Sequence, residues 1–234
     1  MNVIAHRGAS RLERENTVAA FRRAVALGAD GVELDVRRTA DETLVVHHDA
    51  LLDDGRAIVE TPEQELPQHV ARLDAALDAA SGVVVNVEIK NATGEPDFDP
   101  ADTVVAAVAE LLAARAEPAE RWLVSSFRME TIDRLRALAP HVRTAFLTVD
   151  IDDDMLARVR RHGHAAVHPW VGNVTATSVA AAHALDLLVN TWTCNDPDRA
   201  VELAGWGVDG LVTDVPDVIL AALAAARRSG ATPE

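Results

Sequence analysis

Only one cysteine, Cys194, occurs in the 234 residues, which excludes an internal disulfide, and no Cys/His cluster has zinc-finger spacing. A reducing, cytoplasmic compartment fits that usage. Basic residues are scarce as well. The 22 Lys and Arg stand against 37 Asp and Glu, a formal net charge of −15, which repels polyanions and argues against a nucleic-acid surface. Long apolar runs are missing. The alanine-rich stretch Val218 to Ala226 falls well short of the roughly 18 residues that a bilayer span requires, so no transmembrane segment is expected. No basic and apolar leader is expected either, because strand-like Val3-Ile4-Ala5 runs at once into His6-Arg7-Gly8.

What is present is the material for a large core: 49% of residues are hydrophobic and 25% charged. The length suits one α/β barrel, since such barrels run to roughly 200–250 residues as a single unit. Short β-branched runs alternate with longer helical patterns throughout. Strands are expected at Val3–Ala5, Gly31–Val36, Val83–Ile89, Trp122–Ser125, Thr144–Thr148, Ala165–His168, Leu187–Trp192 and Gly210–Thr213. Helices are expected at Thr17–Leu27, Val70–Ala80, Ala101–Ala116, Glu130–Leu138, Asp153–His162, Val174–Ala184, Pro197–Ala204 and Asp217–Arg227. Eight strand-then-helix units are what closes a (β/α)8 TIM barrel.

A doubly wound open sheet would alternate similarly. Closure is favoured because His6, Glu33, Asp35, Glu88, Ser125, His168, Asn190, Trp192 and Asp214 all fall at or near the C-terminal ends of expected strands, where barrel enzymes build their sites. One domain is expected over residues 1–228, with a frayed tail from Ser229 to Glu234. Asp49 to Gln68 is the only irregular stretch and reads as a loop over the barrel mouth. Leu44 to His47 just before it reads as a short extension of the second unit.

Glu33 and Asp35 are two residues apart on one strand, so both carboxylates face the same way, into a closed barrel. Glu88 adds a third from the neighbouring strand. Clustered carboxylates that lose water need a cation or a shared proton, and three oxygen donors without cysteine point to a hard divalent ion, Mg²⁺ or Ca²⁺. An ion-pair network with Arg7, Arg37 or Lys90 is the structural alternative. His6-Arg7-Gly8 offers an imidazole for proton transfer, a guanidinium for phosphate and a turn glycine. Asn16 and Thr17 read as helix caps. His47 and His48 alternate on an extended segment, so only one of them can reach a site near His6. Lys90 is either a phosphate ligand or the ion-pair partner of Glu88. Cys194, Ser125 and Ser126 read as structural.

Taken in order, His6-Arg7-Gly8, Glu15-Asn16-Thr17, Gly28 to Val36, His48-Asp49, Asn86 to Lys90, Ser125-Ser126-Phe127, Trp192 to Asp196 and Gly210 to Pro216 resemble the glycerophosphodiester phosphodiesterases. The resemblance implies a TIM barrel that hydrolyses glycerophosphodiesters to glycerol 3-phosphate and an alcohol with one divalent cation. By position, Glu33, Asp35 and Glu88 match metal ligands, His6 and His48 the acid/base pair, Arg7 and Lys90 the phosphate-site cations, and Trp192 an aromatic lining the substrate groove. His47 is then the spare histidine. Two departures stand out: the segment after His48-Asp49 is shorter than that family's usual insertion, and Arg14 replaces a common proline. The open mouth this implies keeps a lysophospholipase D in view, and a barrel that binds phosphate esters without turnover is the non-enzymatic alternative.

Overall fold

Alternation decides what each strand buries. In β2 (Gly31–Arg38), Val32, Leu34 and Val36 pack outward in one core cluster with Phe21 of α1 (Val18–Ala26) and Leu73 and Leu77 of α2 (Leu73–Ala79). Glu33 and Asp35 are left for the inside. The same rule orders β4 (Val84–Ile89), where Val85, Val87 and Ile89 join the outer cluster and Asn86 and Glu88 turn in. Each buried Val, Leu or Ile contributes roughly 1.5–3 kcal/mol, so a one-residue slip would exchange that gain for buried carboxylates.

The computed structural model describes residues 1–230. The further strands are β1 (Asn2–Ala5), β3 (Leu44–Val46), β5 (Trp122–Ser126), β6 (Arg143–Thr148), β7 (Ala166–Pro169), β8 (Leu188–Thr191) and β9 (Gly210–Thr213). Between and after them run α3 (Thr103–Ala113), α4 (Met129–Leu138), α5 (Asp153–His162), α6 (Ala176–Ala184), α7 (Pro197–Gly205) and α8 (Pro216–Ser229). Eight strands pair in parallel around a closed ring, β1-β2-β4-β5-β6-β7-β8-β9, and β9 returns to β1. This is the expected (β/α)8 barrel. The extra strand β3 pairs antiparallel with β2, Val36 opposite Val46, which accounts for the extension expected after the second unit.

Low in the barrel, Leu123, Ala145 and Ala166 form a small apolar layer. Glycine is required here because space is short: a Cβ at Gly210 would lie 2.3 Å from Asn190 Oδ1. Higher up the interior turns polar, with Asn86, Ser125, His168 and Asn190 all buried.

Two expectations are corrected. Asp49 to Gln68 is not the only irregular stretch, because Lys90 to Asp102 is a second loop. Asn91 organises it, donating to Asp99 O at 2.8 Å and Asp102 Oδ1 at 2.5 Å and accepting from Asp99 N at 2.8 Å. Side-chain to backbone bonds of this kind leave no hydrophobic period to read. Secondly, the second helix begins at Leu73 and not Val70, because Ala71 O accepts from Val46 N and Arg72 bridges to Val45. Those residues are drawn alongside β3. Leu52 and Ile58 of the first loop also pack on Val45. Of the expected tail, residues 231–234 lie outside those described. Among the described residues no helix is long and apolar enough to cross a membrane.

Candidate active site

His6, immediately after β1, begins the site. Its Nδ1 lies 2.6 Å from Asp214 Oδ1, just past β9, and its Nε2 lies 4.0 Å from Glu33 Oε2. A carboxylate only accepts, so the Nδ1 proton is fixed on that side and Nε2 faces the barrel axis. Asn195 Nδ2 donates to the other Asp214 oxygen at 2.7 Å. Burial opposes ionisation of Asp214, yet bonds from His6, Asn195 and Ser10 hold its carboxyl at about 2.

The turn after His6 is tight. Arg7 has φ 54 and Gly8 φ 82, and a Cβ on Gly8 would stand 2.6 Å from the Ala20 carbonyl carbon. Only glycine lets α1 approach this closely. The turn aims the Arg7 backbone N–H at Glu33 Oε2, 3.1 Å away, and its guanidinium at Asp35 Oδ2, 3.3 Å, and Glu15 Oε1, 2.9 Å.

Glu33, Asp35 and Glu88 converge as expected: one oxygen from each lies within 4.8 Å of the others. Strand register explains it, since Asp35 sits opposite Glu88 and Glu33 opposite Asn86. Their surroundings differ. Burial opposes ionisation of Asp35, but Lys90, Arg7 and His48 and a 2.8 Å bond from Asn16 Nδ2 hold its carboxyl below the ordinary value. Burial, then repulsion from Asp35 and Glu88, pushes Glu33 well above it. Glu88 is raised by burial and by Asp35, and Lys90 Nζ, 2.9 Å from Glu88 Oε1 and 3.5 Å from Asp35 Oδ1, offsets part of this. The two readings of these carboxylates therefore divide between residues. Asp35 is ion-paired to Arg7 and Lys90, whereas Glu33 Oε1 is buried with no hydrogen-bond partner. The burial and mutual repulsion that oppose ionisation of Glu33 and Glu88 are what a bound cation would relieve, and an orphaned oxygen in an all-oxygen cluster is the donor set a hard divalent ion fits.

His48 joins from the segment after β3. Its Nδ1 bonds Asp49 Oδ1 at 2.8 Å, and burial, reinforced by Lys90 and Arg7, lowers its pKa. With His6, Arg7, Glu33, Glu88, Lys90, Phe127 and Trp192 it lines an open cavity of about 550 Å³. His47 is not among the residues lining that cavity and turns to a recess with Arg14, Asp53 and His69. Trp192 forms part of one wall, its Nε1 donating to His168 O at 2.8 Å and its ring edge-on to Phe127 at 5.5 Å.

Three contributors were hidden in the sequence. Asn16 is no cap, since Thr17 takes that role by accepting from Ala20 N, and Asn16 instead grips Asp35. Asp214 was marked by its strand-end position and by the Gly210 to Pro216 segment, but by nothing that gave it a role. Arg37, read as a possible partner of Glu33 or Asp35, pairs with neither. Its buried guanidinium donates twice to His48 O, at 2.9 and 2.6 Å, and pairs with Glu95 at 2.9 Å and Asp97 at 2.5 Å. It thus ties the His48 backbone to the second loop.

Residues 6–218 match the model of the Glycerophosphoryl diester phosphodiesterase family. The chain belongs to this family. It is 29% identical over 236 residues to a glycerophosphodiester phosphodiesterase of Caldanaerobacter subterraneus subsp. tengcongensis, with 93% of this chain and 96% of that protein covered. An Oleispira antarctica phosphodiesterase solved in complex with the product sn-glycerol-3-phosphate has a TM-score of 0.87 at 27% identity, covering 96% of this chain and 97% of that one. A shorter match, 40% over 81 residues, joins this family member to a lysophospholipase D of Rattus norvegicus, covering 33% of this chain and 26% of that protein.

Proposed function

We propose that this chain hydrolyses glycerophosphodiesters to glycerol 3-phosphate and an alcohol, using one divalent cation, Mg²⁺ or Ca²⁺, held by Glu33, Asp35 and Glu88. The observation that carries the reading is the buried, unpartnered Glu33 Oε1 inside a carboxylate cluster lining the cavity that His6 and His48 share. The cation, when bound, supplies positive charge to a non-bridging phosphate oxygen. Arg7 and Lys90 add theirs and orient the diester. His6 and His48, each with Nδ1 held by an aspartate, exchange protons at Nε2: one takes the proton of the attacking oxygen and the other gives one to the departing alkoxide. Water is consumed and the bond between phosphorus and the alcohol oxygen breaks. Trp192 and Phe127 flank the substrate on the apolar wall.

Release of glycerol 3-phosphate from glycerophosphocholine, dependent on Mg²⁺ or Ca²⁺ and stopped by chelator, is the expected result. Glu33→Ala should abolish it and lose metal binding in a calorimetric titration while keeping wild-type circular dichroism. Wild-type metal affinity in that variant would sink the ligand assignment. Phosphate-ester binding without turnover would leave only the non-enzymatic barrel.

One observation favours a second reading, turnover of lysolipids. Phe127, Val149 and Trp170, on three successive strand-to-helix connections at the mouth, are 44%, 51% and 43% exposed, an apolar edge that an acyl chain could follow. Choline release from lysophosphatidylcholine at a rate comparable to that from glycerophosphocholine is its signature.

A further inference from the structure

A second constellation lies at the other end of the barrel. We propose that Asp133, His162 and His164 form a binding site for a first-row transition-metal dication of the Zn²⁺ type, separate from the phosphodiesterase centre. Asp133 belongs to α4, and His162 is the last residue of α5. Gly163, at φ 78, turns the chain in the left-handed region, and His164 follows two residues ahead of β7. That turn sets the two imidazoles side by side, centroids 6.1 Å apart and planes at 19°. Thr144, near the start of β6, contacts His164 from below. The group therefore sits where strands begin, whereas the acidic triad sits where they end.

The Asp133 carboxylate spans both rings, one oxygen to each. His162 Nδ1 is 2.8 Å from Oδ2 and His164 Nε2 is 3.2 Å from Oδ1. The first contact is a hydrogen bond, but the second lacks the alignment of one, and His164 Nε2 is buried with no hydrogen-bond partner. The His164 side chain has no exposure at all, and its Nδ1 is engaged by Thr144 Oγ1 at 2.8 Å. In the tautomer that donates from Nδ1 to Thr144, the Nε2 lone pair faces a carboxylate oxygen, and a cation between them would turn that repulsion into two bonds. Burial pushes the His164 pKa down to about 4, so the imidazole is neutral and able to ligate at neutral pH.

Two imidazoles and a carboxylate are the donor set of Zn²⁺ and its neighbours, not of Mg²⁺ or Ca²⁺. The three donor atoms already lie within 4.8 Å of one another, and Thr144 fixes the His164 ring from behind, as outer partners of metal-bound histidines do. Asp133 and His162 are 36% and 38% exposed, which gives an ion a route from solvent and completes its coordination with water. Arg136 opposes binding: its guanidinium packs by Gly163 and adds positive charge beside His164. A bound ion would clip α4 to the α5–β7 connection and stabilise the barrel at its lower end.

The difference in ligand type separates the two sites experimentally. With the full chain held in excess Mg²⁺ to occupy oxygen-only sites, calorimetric titration with Zn²⁺ should show one further site, and Co²⁺ should develop visible absorption bands. Zn²⁺ should raise the melting temperature of the wild type. His162→Ala and Asp133→Asn, both at part-exposed positions, should weaken Zn²⁺ at least tenfold and lose the thermal shift while keeping phosphodiesterase activity in Mg²⁺. Arg136→Gln should tighten it. Absence of Zn²⁺ binding in the presence of Mg²⁺, or unchanged affinity in both ligand variants, would overturn the proposal. So would loss of the site in His69→Ala, which would move it to the recess beside His47.

Discussion

His48 and His47 are adjacent in sequence and opposite in consequence. His48→Ala is expected to keep metal binding and lose roughly 10²–10⁴-fold in kcat, as for one acid–base group, whereas His47→Ala should change kcat little. Steady-state rates on glycerophosphocholine check this, and a reversed order would put the wrong histidine at the phosphate. Asp214→Asn should lower kcat over a similar range by releasing the His6 tautomer. Its stability effect carries a sign. The folded Asp214 carboxyl, at about 2, lies below its ordinary 3.8, so it stabilises the fold above pH 4 and that contribution vanishes as pH falls toward 2. Denaturant titrations should find Asp214→Asn less stable by about 1–2 kcal/mol at pH 6, after allowance for its partial exposure, with the gap closing below pH 4. At this scale, the carboxylates and both histidines were legible, because strand alternation and motif order suffice to mark them. Asn16 and Asp214 were not, since each acts through a partner 19 or 208 residues away.

Among the elements, β2 carries the greatest variety of duties. Glu33 and Asp35 reach inward, and two residues further Arg37 leaves the barrel to join the segment after β3 to the loop after β4. Arg37→Met should therefore act through both loops. It leaves Glu95 and Asp97 without their cation and His48 O without its donors, so a loss of about 2–4 kcal/mol is expected. The kcat on glycerophosphocholine should fall as His48 drifts, and Arg37→Lys should restore little, because one ammonium cannot reproduce the fork. Thermal melts and rates on the same preparations test this. Strands were read from sequence almost to the residue, since burial on the outer face imposes the β-branched runs. Helix starts were less legible. Val70 and Ala71 have helical character but are claimed by β3, and α3 begins only after Asp102, which adopts φ 50.

For the whole molecule, acid is the expected weakness. Burial holds His168 at about 3 and His164 at about 4, both under the ordinary 6.5. The unfolded chain then binds protons between pH 6.5 and these values that the fold refuses, so stability should drop steadily as pH falls from 6.5 to 4. Urea midpoints across that range in chelator check the direction; His168→Asn should flatten part of the slope. The closed barrel itself was legible from eight repeats and the placing of polar residues, while the second mouth loop was not, because its order rests on Asn91 and Arg37. Closure has one more consequence. The first strand, β1, shares four residue pairs with β9 but only two with β2. During synthesis that strand waits with one flank bare until β9 emerges, and the aspartate that steadies His6 follows directly behind β9. A chain that has not yet presented β9 can gather the helices before it and still lack the partner of His6, so the centre is assembled only when the ring closes.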